Sequence, residues 1–271
     1  MKMHFGIVVA STILMGSMGS ALAADLPMKA PAPRAPVPSY TGCYIDVGAG
    51  YGLWNQDQFT ETFPGLVPTS AAATRDGGRG FLGRFGAGCD YQLTGEASNW
   101  VVGVLGNYDV MSLKGTDNFT NTGVGGAFGA PNFALEKERN AWYIGGRIGY
   151  LVTPALLTYV NGGYTQTSFG QQNLFFLNTG VNANAFLPGT TYNGWFIGSG
   201  VEYAMNFAWL PIHGLYWRNE YRFASYNSKD IPLLGPGASP GFGQHSTPNV
   251  QTATTSLVWK FNWGGPVVAK Y

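Results

Sequence analysis

The chain has 271 residues, 45% of them apolar and 15% aromatic, but only 11% charged, against about 25% in an ordinary soluble domain. Forty glycines, where about 7% would be usual, exclude a mainly helical protein, because each glycine inside a helix costs about 0.5–1 kcal/mol relative to alanine. A formal net charge of +1 offers no electrostatic basis for holding nucleic acid.

At the N-terminus, Lys2 and His4 precede the mainly apolar run Phe5–Met18, which passes into Ala21-Leu22-Ala23. This small-x-small pattern predicts a signal peptide over 1–23, cleaved after Ala23, and export of the mature chain. Its removal takes away Lys2 and leaves basic and acidic residues in balance. Residues 24–40 contain "DLPMKAPAPRAPVPSY", rich in proline and without an amphipathic period, and read as a periplasmic linker. No later stretch carries 18 uninterrupted apolar residues, which excludes a helical membrane protein. If the mature chain enters a membrane, it does so as a barrel.

From 41 to 263 the side chains separate into two interleaved sets, as they do on the two faces of a strand. In "CYIDVGAGYGL" (43–53) Asp46 falls with Gly48, Gly50 and Gly52, opposite Ile45, Val47 and Tyr51. In "FLGRFGAGCDY" (81–91) Arg84 and Asp90 fall with Gly86 and Gly88. "WVVGVLGNYDV" (100–110) places Asp109 on the face of Gly103, and "WYIGGRIGY" (142–150) places Arg147 with Gly145 and Gly149. "LLTYVNGGYTQT" (156–167) alternates less cleanly but suits a strand by its β-branched and aromatic content. "GWFIGSGVEYAM" (194–205) puts Glu202 with Gly198 and Gly200. "LYWRNEYRF" (215–223) puts Arg218, Glu220 and Arg222 on one face, and "TTSLVWKFNW" (254–263) sets Leu257, Trp259 and Phe261 against Ser256 and Lys260.

These segments predict an all-β protein of eight antiparallel strands. Connections after the first, third, fifth and seventh strands are long and the others short, as in an outer-membrane barrel. A lipocalin-like barrel with its apolar face inward is the competing architecture. The aromatic residues discriminate. Trp100 and Tyr108, Trp142 and Tyr150, and Trp195 and Tyr203 share one spacing on the apolar face. That spacing corresponds to about 26 Å along a strand, or about 20 Å of height at a 40° tilt, close to the lipid-facing band between two aromatic girdles. The transmembrane reading points Asp46, Arg84, Asp90, Asp109, Arg147, Glu202, Arg218, Glu220 and Arg222 into a narrow lumen, where buried charges need partners.

The segments "YTGCYIDVGAGYG" (40–52), "YVNGGYT" (159–165), "GWFIGSGVEYAM" (194–205) and "NEYRFASY" (219–226) resemble the small outer-membrane β-barrel proteins of alphaproteobacteria, known as outer-membrane immunogenic or porin-family proteins. The resemblance covers the chain from about Tyr40 to Trp263. It implies an architecture similar to OmpA/OmpX-type barrels and a role in envelope integrity and surface contact. The outward stripe Leu257, Trp259 and Phe261 resembles the terminal strand read by barrel-insertion machinery. Two features depart from the family pattern: Cys43 stands where an aromatic residue is usual, and "GGPVVAKY" (264–271) extends past the aromatic end.

Cys43 and Cys89 fall toward the same end of the first hairpin and on the same face, either as a disulfide or as two small lipid-facing residues. No cofactor or metal ligand set is legible. His213 and His245 are distant in sequence, and "GRGFLG" (78–83) lacks the helix and acidic residue of a dinucleotide site. The expected function is therefore a non-enzymatic, structural and surface-exposed barrel whose lumen is plugged by paired charges. The alternatives are a small diffusion porin and a surface enzyme built on His245. Expected partners are outer-membrane lipids and the insertion machinery, with an unspecified ligand for loops such as 119–135.

Overall fold

A computed structural model describes residues 38–64, 67–68, 74–119, 132–205, 214–238 and 241–261. The cleavage positions Ala21 and Ala23, most of the linker, most of the apolar loop 119–135, His213 and the extension 264–271 lie outside the described residues. The described residues form eleven strands: β1 (Gly42–Thr62), β2 (Thr74–Gln92), β3 (Trp100–Phe119), β4 (Asn132–Thr153), β5 (Leu156–Phe169), β6 (Gln172–Phe176), β7 (Asn182–Leu187), β8 (Thr190–Ala204), β9 (Leu215–Tyr226), β10 (Lys229–Pro232) and β11 (Phe242–Phe261).

Eight of them close into an antiparallel barrel. Each of β1, β2, β3, β4, β5, β8, β9 and β11 pairs with its neighbour, and β11 returns to β1 from Cys43↔Phe261 to Thr62↔Phe242. Closure leaves no free edge in the ring, so its backbone groups bond within the sheet, as a bilayer requires. Among the described residues no helix is long and apolar enough to cross a membrane. The strand ends Gln92 and Trp100, Thr153 and Leu156, and Ala204 and Leu215 lie at one end of the barrel, the turn end, and the opposite ends of the strands form the loop end.

The barrel is apolar outside and polar inside. Phe81 is 77% exposed and Val104 62%, whereas Asp109 and Glu202 are fully buried. The aromatic residues form two rows. Toward the turn end, Trp100 lies opposite Tyr150, with ring centroids 5.2 Å apart, and Tyr203 lies opposite Trp217. Toward the loop end, Tyr108 lies opposite Trp142 and Tyr164 opposite Trp195. Trp142 also contacts Tyr164 at 5.3 Å. Cys43 and Cys89 are direct register partners on β1 and β2 and are joined by a disulfide, so of the two arrangements open in the sequence the structure has the bonded one.

The strands run further toward the loop end than the apolar alternation indicates. β1 extends to Thr62 rather than Leu53, β2 starts at Thr74 rather than Phe81, and β11 starts at Phe242 rather than Thr254. The physical reason is solvent. Beyond the lipid band the outer face meets water and needs no apolar stripe, so segments such as Asn55–Gln58 remain strand without the period that marks one. Three further strands lie in the connections: β6 and β7 form a hairpin docked on β4, and β10 pairs with β11.

The described barrel also starts earlier than the linker boundary at residue 40 implies. Tyr40 is buried inside the turn end, where its hydroxyl donates to the Ala155 carbonyl at 2.9 Å. Tyr216 in turn donates to the Ser39 carbonyl at 2.7 Å.

The facing of β8 can be tested at Val201, which points outward. Val201→Arg should lower membrane insertion by about 2–4 kcal/mol, the cost of arginine facing lipid near mid-membrane. The measurement is heat-modifiable mobility after folding into vesicles, and insertion equal to wild type would reverse the assignment of faces.

Candidate functional site

Among the described residues, the barrel interior between the two aromatic rows holds five carboxylates and five cations: the nine residues grouped from the sequence, together with Lys260. Strand register explains the nearest pairs. Arg84 lies opposite Asp109 across β2 and β3 and grips it through two parallel bonds of 2.8 and 2.7 Å. Glu202 lies opposite Arg218 across β8 and β9, with ion-pair distance 2.8 Å. Other pairs reach between strands that are not neighbours. Arg84 also binds Glu220 at 2.7 Å, Arg218 reaches Asp46 at 3.2 Å, and Arg147 holds Asp90 by its guanidinium fork while contacting Glu202 at 3.1 Å. Within β9 itself, Arg222 contacts Glu220 at 2.6 Å. Lys260 sits 2.8 Å from both Asp90 and Glu202. The sequence places Lys260 on the inner face but gives no reason to join it to this group, because its partners come from distant strands.

Aromatic rings fill the space between these pairs. The Arg222 guanidinium lies 4.3 Å from the Tyr143 ring centroid and 4.7 Å from that of Phe196, and Arg218 lies 4.6 Å from Tyr44. Such stacking favours a cation already removed from water. Glycine makes the packing feasible at two positions above all. A Cβ on Gly86 would collide with the Asp46 and Asn107 side chains, and one on Gly200 would lie 2.5 Å from the Tyr159 hydroxyl. That hydroxyl donates to Glu220 at 3.0 Å.

Toward the loop end, beyond Tyr108 and Trp142, the interior changes character. An apolar cluster that includes Trp54, Leu113, Phe169, Leu187 and Tyr192 surrounds three buried carboxyls, Asp117, Glu136 and Glu138. Burial pushes the Asp117 carboxyl up to about 7, and the Asp76 charge adds to the effect. Burial likewise raises Glu138 to about 8, although Thr167 donates to it at 2.6 Å. Glu136 is raised by burial and then by the neighbouring Asp117. On the outer face of the same end, β10 and β11 bring together residues remote in sequence. His245 Nδ1 lies 2.5 Å from Asp230 Oδ1, and the imidazole stacks on Phe59 at 4.7 Å. His245 is thus not the isolated loop histidine that its sequence neighbours suggest.

The predicted girdle residues Trp100, Tyr108, Trp142, Tyr150, Trp195 and Tyr203 all face outward. Leu257 and Trp259 do so as well, and Phe261, at the end of β11, packs against Trp259. The closed eight-stranded ring, apolar outside and charged within, is the architecture of a Gram-negative outer-membrane β-barrel. Consistent with this, the fold matches the outer membrane protein OprG from Pseudomonas aeruginosa over 84% of this chain and 100% of that one, with a TM-score of 0.51 at 12% identity. The particular resemblance carried by the sequence motifs holds as well. Over 237 residues, 83% of this chain and 88% of theirs, the protein is 28% identical to the 31 kDa outer-membrane immunogenic proteins of Brucella melitensis biotype 1 and Brucella suis biovar 1. No protein-family model matches the chain.

This geometry has two measurable consequences. Replacing Glu202 by alanine strips Arg147, Arg218 and Lys260 of a shared partner, and should destabilise the barrel by about 3–5 kcal/mol, read from reversible denaturant unfolding in lipid. An unchanged midpoint would show that the three cations are satisfied without it. The raised carboxyls act at the loop end with the opposite sign from an ordinary paired acid. Because Asp117 and Glu138 hold their protons more tightly when folded than the roughly 4 expected unfolded, their stabilisation is complete below about pH 4 and is lost as pH rises through about 7–8. Amide exchange in the loop-end strands should therefore be faster at about pH 9 than at about pH 5, beyond its intrinsic pH dependence, with the difference reduced in Glu138→Gln. Equal protection at the two pH values would contradict it.

Proposed function

We propose that the protein is a structural, surface-exposed barrel of the outer membrane that supports envelope integrity and presents its loop end for contact, with a lumen closed by side chains. The observation that carries this reading is the balance, among the described residues, of five cations and five carboxylates, all joined in ion pairs, several of which cross the interior between strands that are not neighbours. An eight-stranded barrel is just wide enough for its side chains to fill. The inner glycines, which would otherwise be the route for water, face Asp46, Asn107 and Tyr159 at Gly86 and Gly200. At the turn end, Tyr40, Tyr44, Leu157 and Tyr216 form an apolar seal beneath the charges.

The name of the Brucella relatives, outer-membrane immunogenic protein, supports display at the cell surface. The protein is read as a non-enzyme: His245 is engaged by Asp230 and Phe59, and both cysteines are consumed in the disulfide. Residues 1–23 serve as the cleaved export signal. Leu257, Trp259 and Phe261 supply the stripe read by the insertion machinery, and outer-membrane lipids surround the aromatic rows.

Planar-bilayer recording tests the closed lumen. The wild type should give little or no steady conductance, and transient openings should appear only when a charge pair is broken, as in Arg147→Ala. A reproducible open channel in the wild type, with ion selectivity altered by Glu202→Gln at unchanged stability, would make the protein a diffusion porin instead.

A further inference from the structure

Outside the lumen, one polar cluster has a composition that neither the ion-pair network nor the closed-barrel reading uses. Glu61 on β1, Asp230 on β10 and His245 on β11 each present one ligand atom, and these atoms all lie within 4.8 Å of one another. Register builds the cluster. His245 lies opposite Phe59 on one side and Asp230 on the other, while Glu61 sits one outward position beyond Phe59. β10 approaches closely here because residue 243, opposite Glu61, is glycine, and a Cβ there would come within 2.8 Å of the Ile231 carbonyl.

Glu61 distinguishes this cluster from a solvated acidic patch. Its side chain is only 1% exposed, and its Oε1 is buried with no hydrogen-bond partner. Among the described residues no lysine or arginine forms an ion pair with it; Arg75, on the neighbouring strand, pairs with Asp57, and Lys229 is exposed. A buried carboxylate with one oxygen unpartnered, facing a second carboxylate and an imidazole, is costly unless a cation lies between them.

We propose that Glu61, Asp230 and His245 form a surface site for a divalent transition-metal ion of the zinc class at the loop end of the barrel. Mixed imidazole and carboxylate ligation suits such ions, whereas calcium and magnesium prefer oxygen alone. Metal–ligand bonds of about 2.0–2.2 Å place ligand atoms of one ion roughly 3–4.3 Å apart, which small side-chain rotations reach from the observed cluster. Three protein groups leave a fourth position for water or for a ligand supplied from outside. Phe59 stacks on the imidazole and holds its plane toward the carboxylates.

The test is calorimetric titration of tag-free mature protein, folded in detergent, with Zn²⁺. Wild type should bind one equivalent, and His245→Ala, Glu61→Gln and Asp230→Asn should each weaken binding at least about tenfold, with folding of every variant checked by heat-modifiable mobility. Absence of saturable binding, or affinity within about threefold of wild type in the folded variants, would overturn the site; so would Ca²⁺ binding of equal strength that ignores His245→Ala. Should a variant fail to fold, X-ray absorption of the zinc-loaded wild type decides. An oxygen and nitrogen shell with the scattering of one imidazole supports the proposal, and a shell lacking imidazole refutes it.

Discussion

A bilayer supplies no hydrogen-bond partners, so a sheet that crosses it must close, and closure at eight strands governs how the interior of this protein is built. Once the ring is shut, every second side chain points into a narrow interior where a buried ion needs a partner. The ion pairs of the lumen answer that constraint. Their arrangement depends on the ring: Arg218 meets Asp46, and Lys260 meets Asp90, only because β11 returns to β1 and brings the two ends of the chain together. Breaking a single pair exposes the others to the same desolvation cost, which makes the interior collectively rather than locally stable.

The same constraint explains where glycine and tyrosine are used. Glycine removes volume from the inner face where an opposing side chain must reach across, as at Gly86 and Gly200. Tyrosine returns volume with a polar tip, so the rings of Tyr44, Tyr143 and Tyr159 pack against guanidinium groups. At the turn end the chain uses its own N-terminal segment, with Tyr40 inserted beneath Lys260 at 4.7 Å.

Above the lipid band the rules relax. Water now solvates the outer face, so the strands carry polar residues on both sides, and the interior changes from paired charges to an apolar cluster around Asp117, Glu136 and Glu138. These three acids stay buried there by favouring their protonated forms. The outer face acquires the Glu61, Asp230 and His245 cluster through β10, a short strand that the alternation pattern does not reveal.

How much of this was readable in the chain divides along one line. The period of two, with charges and glycines on one face and Trp and Tyr at a fixed spacing on the other, determined the eight strands of the ring, the inside and outside of the wall, and which acids and arginines share the lumen. These properties are local, because the faces of a strand follow from residue parity alone. The pairings were decided only by the tertiary structure: which arginine holds which acid, that Lys260 completes the charge balance, that Cys43 faces Cys89, and that Tyr40 belongs to the barrel. So were the strand extensions beyond the membrane and the meeting of Glu61, Asp230 and His245. Each of these depends on register and ring closure, which bring together residues from strands far apart in the chain, and the sequence marks no apolar period where both faces of a strand meet water.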